Sequence, residues 1–211
     1  MNWYSRTQLL VGEEGVNKLR DSHVLVVGLG GVGAYAAEQL ARAGIGKMTI
    51  IDSDTVNVTN KNRQLLALDS TLGRPKVEVM AERIRDINPD TEVVAINQYL
   101  KDQSIIDLME QPFDFVVDAI DTLAPKVFLL YYAVQNKQNI VSCMGAGGKF
   151  NPEMIQIADI SKSYNCRLAF YIRKRLHRLG VREGITVVFS PEKVAESAVT
   201  IEEEQTDNKI A

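Results

Sequence analysis

Cysteine is scarce in this chain: Cys143 and Cys166 are the only two among 211 residues. They form no C-x-x-C pair, which excludes a structural zinc site of paired cysteines and a disulfide framework. Histidine is equally rare. His23 and His177 have no metal-binding partner at useful spacing, so both read as structural or solvent-facing. No apolar run is long enough to cross a bilayer. The opening residues, MNWYSRTQLLVGEEG, carry charge where a secretory signal needs an apolar centre. Nor does one sign of charge dominate. With 24 basic and 27 acidic residues the formal net charge is −3, so no global field marks the chain for nucleic acid or membranes, although it leaves room for a local basic patch. A soluble cytoplasmic protein with no membrane partner is the simplest reading.

What the chain does have is alternation. Short apolar runs at 23–28, 47–52, 92–96, 113–118 and 139–143 read as strands, and the first, HVLVVG, suits a parallel strand buried on both faces. Helical spacing falls between them, over 32–43, 76–87, 102–110 and 123–136. The pattern predicts an α/β, Rossmann-like, doubly wound and mostly parallel sheet. Beyond Pro152 the character changes. A strand at 154–160, a basic amphipathic helix at 166–179 and a strand at 185–190 read as an antiparallel C-terminal extension. We read one domain over 1–211. It has an N-terminal arm with a short helix (1–23), a nucleotide-binding core (24–150), a substrate-side extension (151–192) and a mobile acidic tail (193–211).

The segment VVGLGGVGAYAAEQLARAGIG, residues 26–46, puts Gly28, Gly30, Gly31 and Gly33 between the first strand and its helix. Backbone N–H groups and the helix dipole favour a phosphate there. Asp52 ends the next strand 19 residues after Gly33, placed to accept hydrogen bonds from a ribose. These features specify a nucleotide without saying which. The loop that follows discriminates. IDSDTVNVTNKNRQ brings Asp54, Asn60, Arg63 and Gln64 close behind Asp52, and Lys76 opens the next helix. Hydride transfer has no use for such a cluster, whereas cleaving a triphosphate needs cations and donors where charge builds on the departing pyrophosphate. Asp121, just after the fourth strand, is a lone carboxylate of the kind that holds Mg²⁺ together with phosphate oxygens.

At these residues the chain resembles the E1-like activating-enzyme superfamily, the ThiF/MoeB/HesA group. The shared pattern is G-x-G-G-x-G, then D-x-D-x-V-x-x-x-N-x-x-R-Q, then a lysine, then A-[IL]-D. Here it is met by Gly28, Gly30, Gly31 and Gly33, by Asp52, Asp54, Val56, Asn60, Arg63 and Gln64, by Lys76, and by Ala119-Ile120-Asp121. The resemblance implies that Asp52 binds the ribose of ATP and the glycine loop its α-phosphate region. Arg63 and Lys76 would hold the triphosphate, Asn60 and Gln64 would assist, and Asp121 would hold Mg²⁺. It also implies a homodimer in which Arg6 reaches the partner's ATP site.

A narrower resemblance covers nearly the whole chain to about residue 192. GRPKVEVMAERIRDINP, DFVVDAID and MGAGGKFNPEMIQIADISKS, with the basic helix and ITVVFSPE, look like the tRNA threonylcarbamoyladenosine dehydratase branch. That branch activates the threonyl carboxylate of a modified adenosine at position 37 of tRNA with ATP, and ring closure loses water overall. An attacking group inside the substrate makes a protein nucleophile unnecessary. The implied partners are tRNA carrying threonylcarbamoyladenosine, a second copy of the chain, and a sulfur-transfer system with a cysteine desulfurase. The alternative is an adenylyltransferase acting on the C-terminus of a ubiquitin-like sulfur carrier. The missing zinc cysteines and the basic helix count against it.

The remaining features keep two readings each. Cys143 closes a strand, and Cys166 opens a helix whose N-terminus favours a thiolate; packing roles suit both as well. The GAGG loop at 145–148 is either a plain turn or a place where backbone approaches substrate closely. Arg167, Arg173, Lys174, Arg175 and Arg178 surround an apolar stripe with no acid among them, which fits tRNA phosphates or simply a charged outer face. The chain ends in DNKIA, where the family resemblance leads one to expect a further apolar segment.

Overall fold

The computed structural model describes residues 3–194. Their chain divides into two compact units, one of residues 3–99 with 113–119 and the other of 100–112 with 120–194. Both units are discontinuous in sequence, so no single cut separates them.

The first unit begins with α1 (Ser5–Asp21), where the sequence suggested an arm and a short helix. The segment is helical throughout except at Gly12, whose φ of 74° breaks it in two. Gly15 stays helical. Four parallel strands follow: β1 (His23–Val27), β2 (Lys47–Ile51), β3 (Glu92–Ile96) and β4 (Phe115–Asp118), in the order β3-β2-β1-β4. The inner strands are continuous apolar runs because both faces are covered: Leu25, Val26, Ile50 and Val116 are fully buried. Each such side chain contributes roughly 1.5–3 kcal/mol of burial.

Helix α2 (Gly33–Ala43) packs on β1 and β4, and α3 (Lys76–Ile87) packs on β2 and β3. Ala34, Ala37 and Ala41 are fully buried, and their small side chains let α2 lie close to the strands. Gly44 ends α2 in the left-handed conformation at φ 97°. The strand order reverses direction at β1, with β2 on one side and β4 on the other. Open α/β sheets bind ligands at the carboxyl ends of strands at such a point.

The second unit holds α4 (Gln103–Met109), α5 (Leu123–Gln135), β5 (Ile140–Cys143), β6 (Gln156–Asp159), α6 (Arg167–Arg178) and β7 (Thr186–Phe189). Its strand order is β5-β7-β6. β7 runs parallel to β5 and antiparallel to β6, which makes the antiparallel extension expected after residue 150. α5 packs against both α4 and α6. The Lys149 ammonium donates to the carbonyls of Ser190 and Glu192, and the Glu192 carboxylate accepts from the N–H groups of Phe150 and Asn151. The loop after Gly148 is thereby clamped to the end of the last strand. The acidic tail anticipated over 193–211 lies outside the described residues beyond Val194.

Candidate nucleotide site

The glycine loop leaves β1 at Gly28, whose φ of 89° favours glycine. Gly33 is required for a different reason: a Cβ there would sit 1.8 Å from the Gly28 carbonyl oxygen. The turn is therefore as tight as the spacing implied. α2 starts directly behind it with no side-chain cap; the Ala34 N–H donates to the Gly30 carbonyl, and the dipole of the helix favours an anion at this end.

Asp52 holds this loop in place. One carboxylate oxygen accepts from the Leu29 N–H at 2.6 Å and the other from the Asp54 N–H at 2.7 Å. Burial raises the Asp52 pKa above the usual carboxylate value, while the two N–H donors and the charge of Lys76 pull it back. Asp54 in turn accepts from the Lys76 ammonium at 2.9 Å. Lys76 is only 3% exposed and Asp54 is largely open, so the ammonium is drawn toward the surface by a hydrated partner. The sequence located Lys76 but gave no sign that it is buried.

The loop between β2 and α3 then folds over the glycines. Asn57 and Asn60 form a reciprocal cap: the Asn57 N–H donates to Asn60 Oδ1, and the Thr59 N–H donates to Asn57 Oδ1, each at 3.0 Å. The Asn60 carbonyl accepts from the N–H groups of Arg63 and Gln64. This short turn brings Arg63 and Gln64 above the loop. A Cβ on Gly31 would meet the Arg63 carbonyl oxygen at 3.5 Å, and one on Gly30 would meet Gln64 Nε2 at 3.8 Å. The Arg63 guanidinium donates to the Thr59 carbonyl and to Asn62 Oδ1 and is exposed. Gly28, Gly30, Gly31, Gly33, Asp52, Asp54, Asn60, Arg63, Gln64 and Lys76 are thus one connected group within the first unit.

The other anticipated residues lie on other elements. Arg6 is exposed in the first turn of α1. Asp121 is exposed in the segment between β4 and α5. Among the described residues no three His, Cys, Asp or Glu side chains gather as a metal site. Arg167, Lys174, Arg175 and Arg178 are exposed on α6, whereas Arg173 is half-buried and donates to Ser163 Oγ. Cys166 is buried at the N-cap of α6 and Cys143 is half-buried. His23 is half-buried too, hydrogen-bonded to Thr49 Oγ1 and edge-on to Phe113. Burial, then Lys47, lowers its pKa.

Sequence reasoning missed Lys126. It is fully buried in α5, and its ammonium donates to the Ile120 carbonyl at 2.9 Å, directly beside Asp121. Its place in the apolar helix LAPKVFLL was the available signal: a lysine there either reaches outward or serves a buried acceptor.

Residues 4–200 match the ThiF family, and the chain belongs to it. Within that class, it is 42% identical over 192 residues to the tRNA threonylcarbamoyladenosine dehydratase of Bacillus subtilis (strain 168), covering 91% of this chain and 76% of that protein. It is also 42% identical to the enzyme of the same name from Escherichia coli (strain K12), covering 90% of this chain and 73% of that one. The crystal structure of the E. coli tRNA N6-threonylcarbamoyladenosine dehydratase in complex with ATP superposes with a TM-score of 0.89 at 42% identity. That superposition covers 92% of this chain and 82% of that one. No helix among the described residues is long and apolar enough to cross a membrane.

Proposed function

We propose that this protein is an ATP-dependent tRNA threonylcarbamoyladenosine dehydratase. It cyclises N6-threonylcarbamoyladenosine at position 37 of tRNA by adenylating the threonyl carboxylate. The observation that carries the reading is the folding of Arg63 and Gln64 over Gly30 and Gly31, with buried Lys76 in the same network. Such a lid of donors and cations over a phosphate-binding turn suits cleavage of a triphosphate. The likeness to dehydratases across most of both chains supports the substrate assignment.

In this reading ATP is a substrate. The α2 N-terminus and glycine loop take its phosphates, and Asp52 takes the ribose. Arg63 and Lys76 stabilise charge on the departing pyrophosphate, assisted by Asn60 and Gln64. The carboxylate oxygen attacks the α-phosphorus and pyrophosphate leaves. A nucleophile within the threonylcarbamoyl group then displaces AMP and closes the ring, with net loss of one water from the nucleoside. The protein positions, polarises and keeps out solvent.

Mg²⁺ fits the residues present: Asp121 is an exposed hard-oxygen donor, and the ion commonly takes one or two carboxylates with substrate phosphates. Bound there, it would neutralise phosphate charge. The proposal includes a cytoplasmic homodimer, with Arg6 serving the partner's site. Exposed Leu9, Leu10 and Val11 on α1 support it, being apolar surface that a second copy would cover. Residues 24–150 act as the nucleotide-binding core and 151–192 as the substrate side, where the basic helix meets tRNA. A sulfur-transfer system with a cysteine desulfurase is the further partner in this reading.

The test incubates the protein with ATP, Mg²⁺ and tRNA bearing threonylcarbamoyladenosine, followed by mass spectrometry of the digested nucleosides. The expected result is ATP-dependent loss of one water from the modified nucleoside, abolished in Asp121→Ala. An unchanged nucleoside with ATP-binding protein would overturn the reading in favour of another carboxylate substrate.

A further inference from the structure

Helix α6 has two sharply different faces. Leu168, Ala169, Ile172 and Leu176 are buried. At about 100° per residue, Arg167, Phe170, Lys174 and Arg178 fall within an arc of roughly 80° opposite that stripe. All four are exposed. Arg173 and Arg175 lie on the flanks, and Arg173 is engaged with Ser163.

Phe170 is the anomaly. It is 52% exposed on the cationic face, between Arg167 and Lys174 along the helix, where a polar residue would serve solubility better. Its ring is braced: Tyr171 meets it in a T-shaped contact at 5.3 Å, and the Arg167 guanidinium lies 6.0 Å from the Tyr171 ring centre. A planar apolar ring flanked by cations one turn on either side matches a strand that alternates bases and phosphates. A double helix would call for the cations alone, because its bases are stacked on one another.

Resting on the tRNA reading above, we propose that Phe170 is a stacking platform for an unpaired base of the anticodon loop, with Arg167, Lys174 and Arg178 holding the phosphates beside it. Phe170 sets the approach of the loop and takes no part in adenylation.

The experiment measures affinity for tRNA bearing threonylcarbamoyladenosine across a salt series, for the wild type, Phe170→Ala, Phe170→Leu, Phe170→Trp and Lys174→Ala. Stacking and charge separate in this design, because only phosphate contacts set the slope of log K against log salt. Phe170→Ala is expected to bind about five- to a hundredfold more weakly with an unchanged slope. Phe170→Leu keeps apolar bulk without a π-face and stays weak, whereas Phe170→Trp recovers binding. Lys174→Ala reduces the slope by about 0.7–0.9. ATP affinity is the same in every variant. Wild-type binding by Phe170→Ala, or full recovery by Phe170→Leu, overturns the stacking platform and leaves the dehydratase reading standing. A wild type that binds no tRNA overturns both.

Discussion

Asp52 serves two acceptor roles at once, toward its own backbone and, in the proposed reading, toward a ribose. Its raised pKa shows what burial of the carboxylate costs. A carboxyl whose folded pKa lies above its unfolded value contributes most below the unfolded value and loses that contribution as pH rises through the folded one. Asp52→Asn removes that dependence and keeps one oxygen for the N–H of Leu29 or Asp54. Equilibrium denaturation should therefore favour the variant, relative to wild type, progressively more as pH rises from the unfolded carboxylate value through the higher folded one. ATP affinity should move the other way, falling about ten- to a hundredfold, because hydrogen bonds to a charged acceptor are worth roughly 1.5–3 kcal/mol. An Asp52→Asn protein that binds ATP like wild type would remove the ribose role.

Between elements, Glu38 does the equivalent work of joining α2 to α3. It is buried, and it accepts from Arg42 on its own helix and from Arg83 on α3. Its pKa is lowered, first by the hydrogen bond from Arg83. The stability it supplies is present above the unfolded carboxylate value and is lost as pH falls through the folded one. Both arginines are partly exposed and rehydrate when the carboxylate is removed, so Glu38→Gln should cost only about 1–2 kcal/mol at neutral pH. The gap should close in acid, and a constant gap from pH 7 to pH 3 would assign the loss to packing instead. This link also marks how far the sequence could be read. Apolar runs such as HVLVV and KMTII, and the glycine spacing, revealed β1, β2 and the phosphate-binding turn because these features are local. Pairings such as Val141 with Thr186 are not local, so the insertion of β7 between β5 and β6 left no trace in periodicity. The buried Lys126 was hidden for the same reason: one group it serves is the Ile120 backbone carbonyl, which no side-chain pattern encodes. Lys76 and Asp54 could each be picked out, but their pairing across 22 residues could not.

On the scale of the whole molecule, the charge is segregated along the chain. Residues 195–211 hold five acidic residues and one lysine, −4 in formal charge, so the other 194 residues carry +1 against −3 for the whole. The proposed tRNA ligand is a polyanion, and in the proposed reading it meets the cations of α6 in a chain whose net sign opposes it. Such opposition acts over the Debye length, about 10 Å at 0.1 M salt and about 30 Å at 0.01 M. The local attraction of α6 persists at short range, while repulsion from the acidic segment fades as salt is added. Replacing Glu202, Glu203 and Glu204 together by Gln brings the formal charge from −3 to zero without touching the nucleotide site. Affinity for tRNA should rise roughly threefold at low salt, and the advantage should vanish near 0.5 M, where the Debye length is shorter than a side chain. Titrations of both proteins across that range decide the matter. A gain that persists at high salt would mean that the glutamates act through contact, and no gain at low salt would mean that the segment's charge lies outside the path of the RNA.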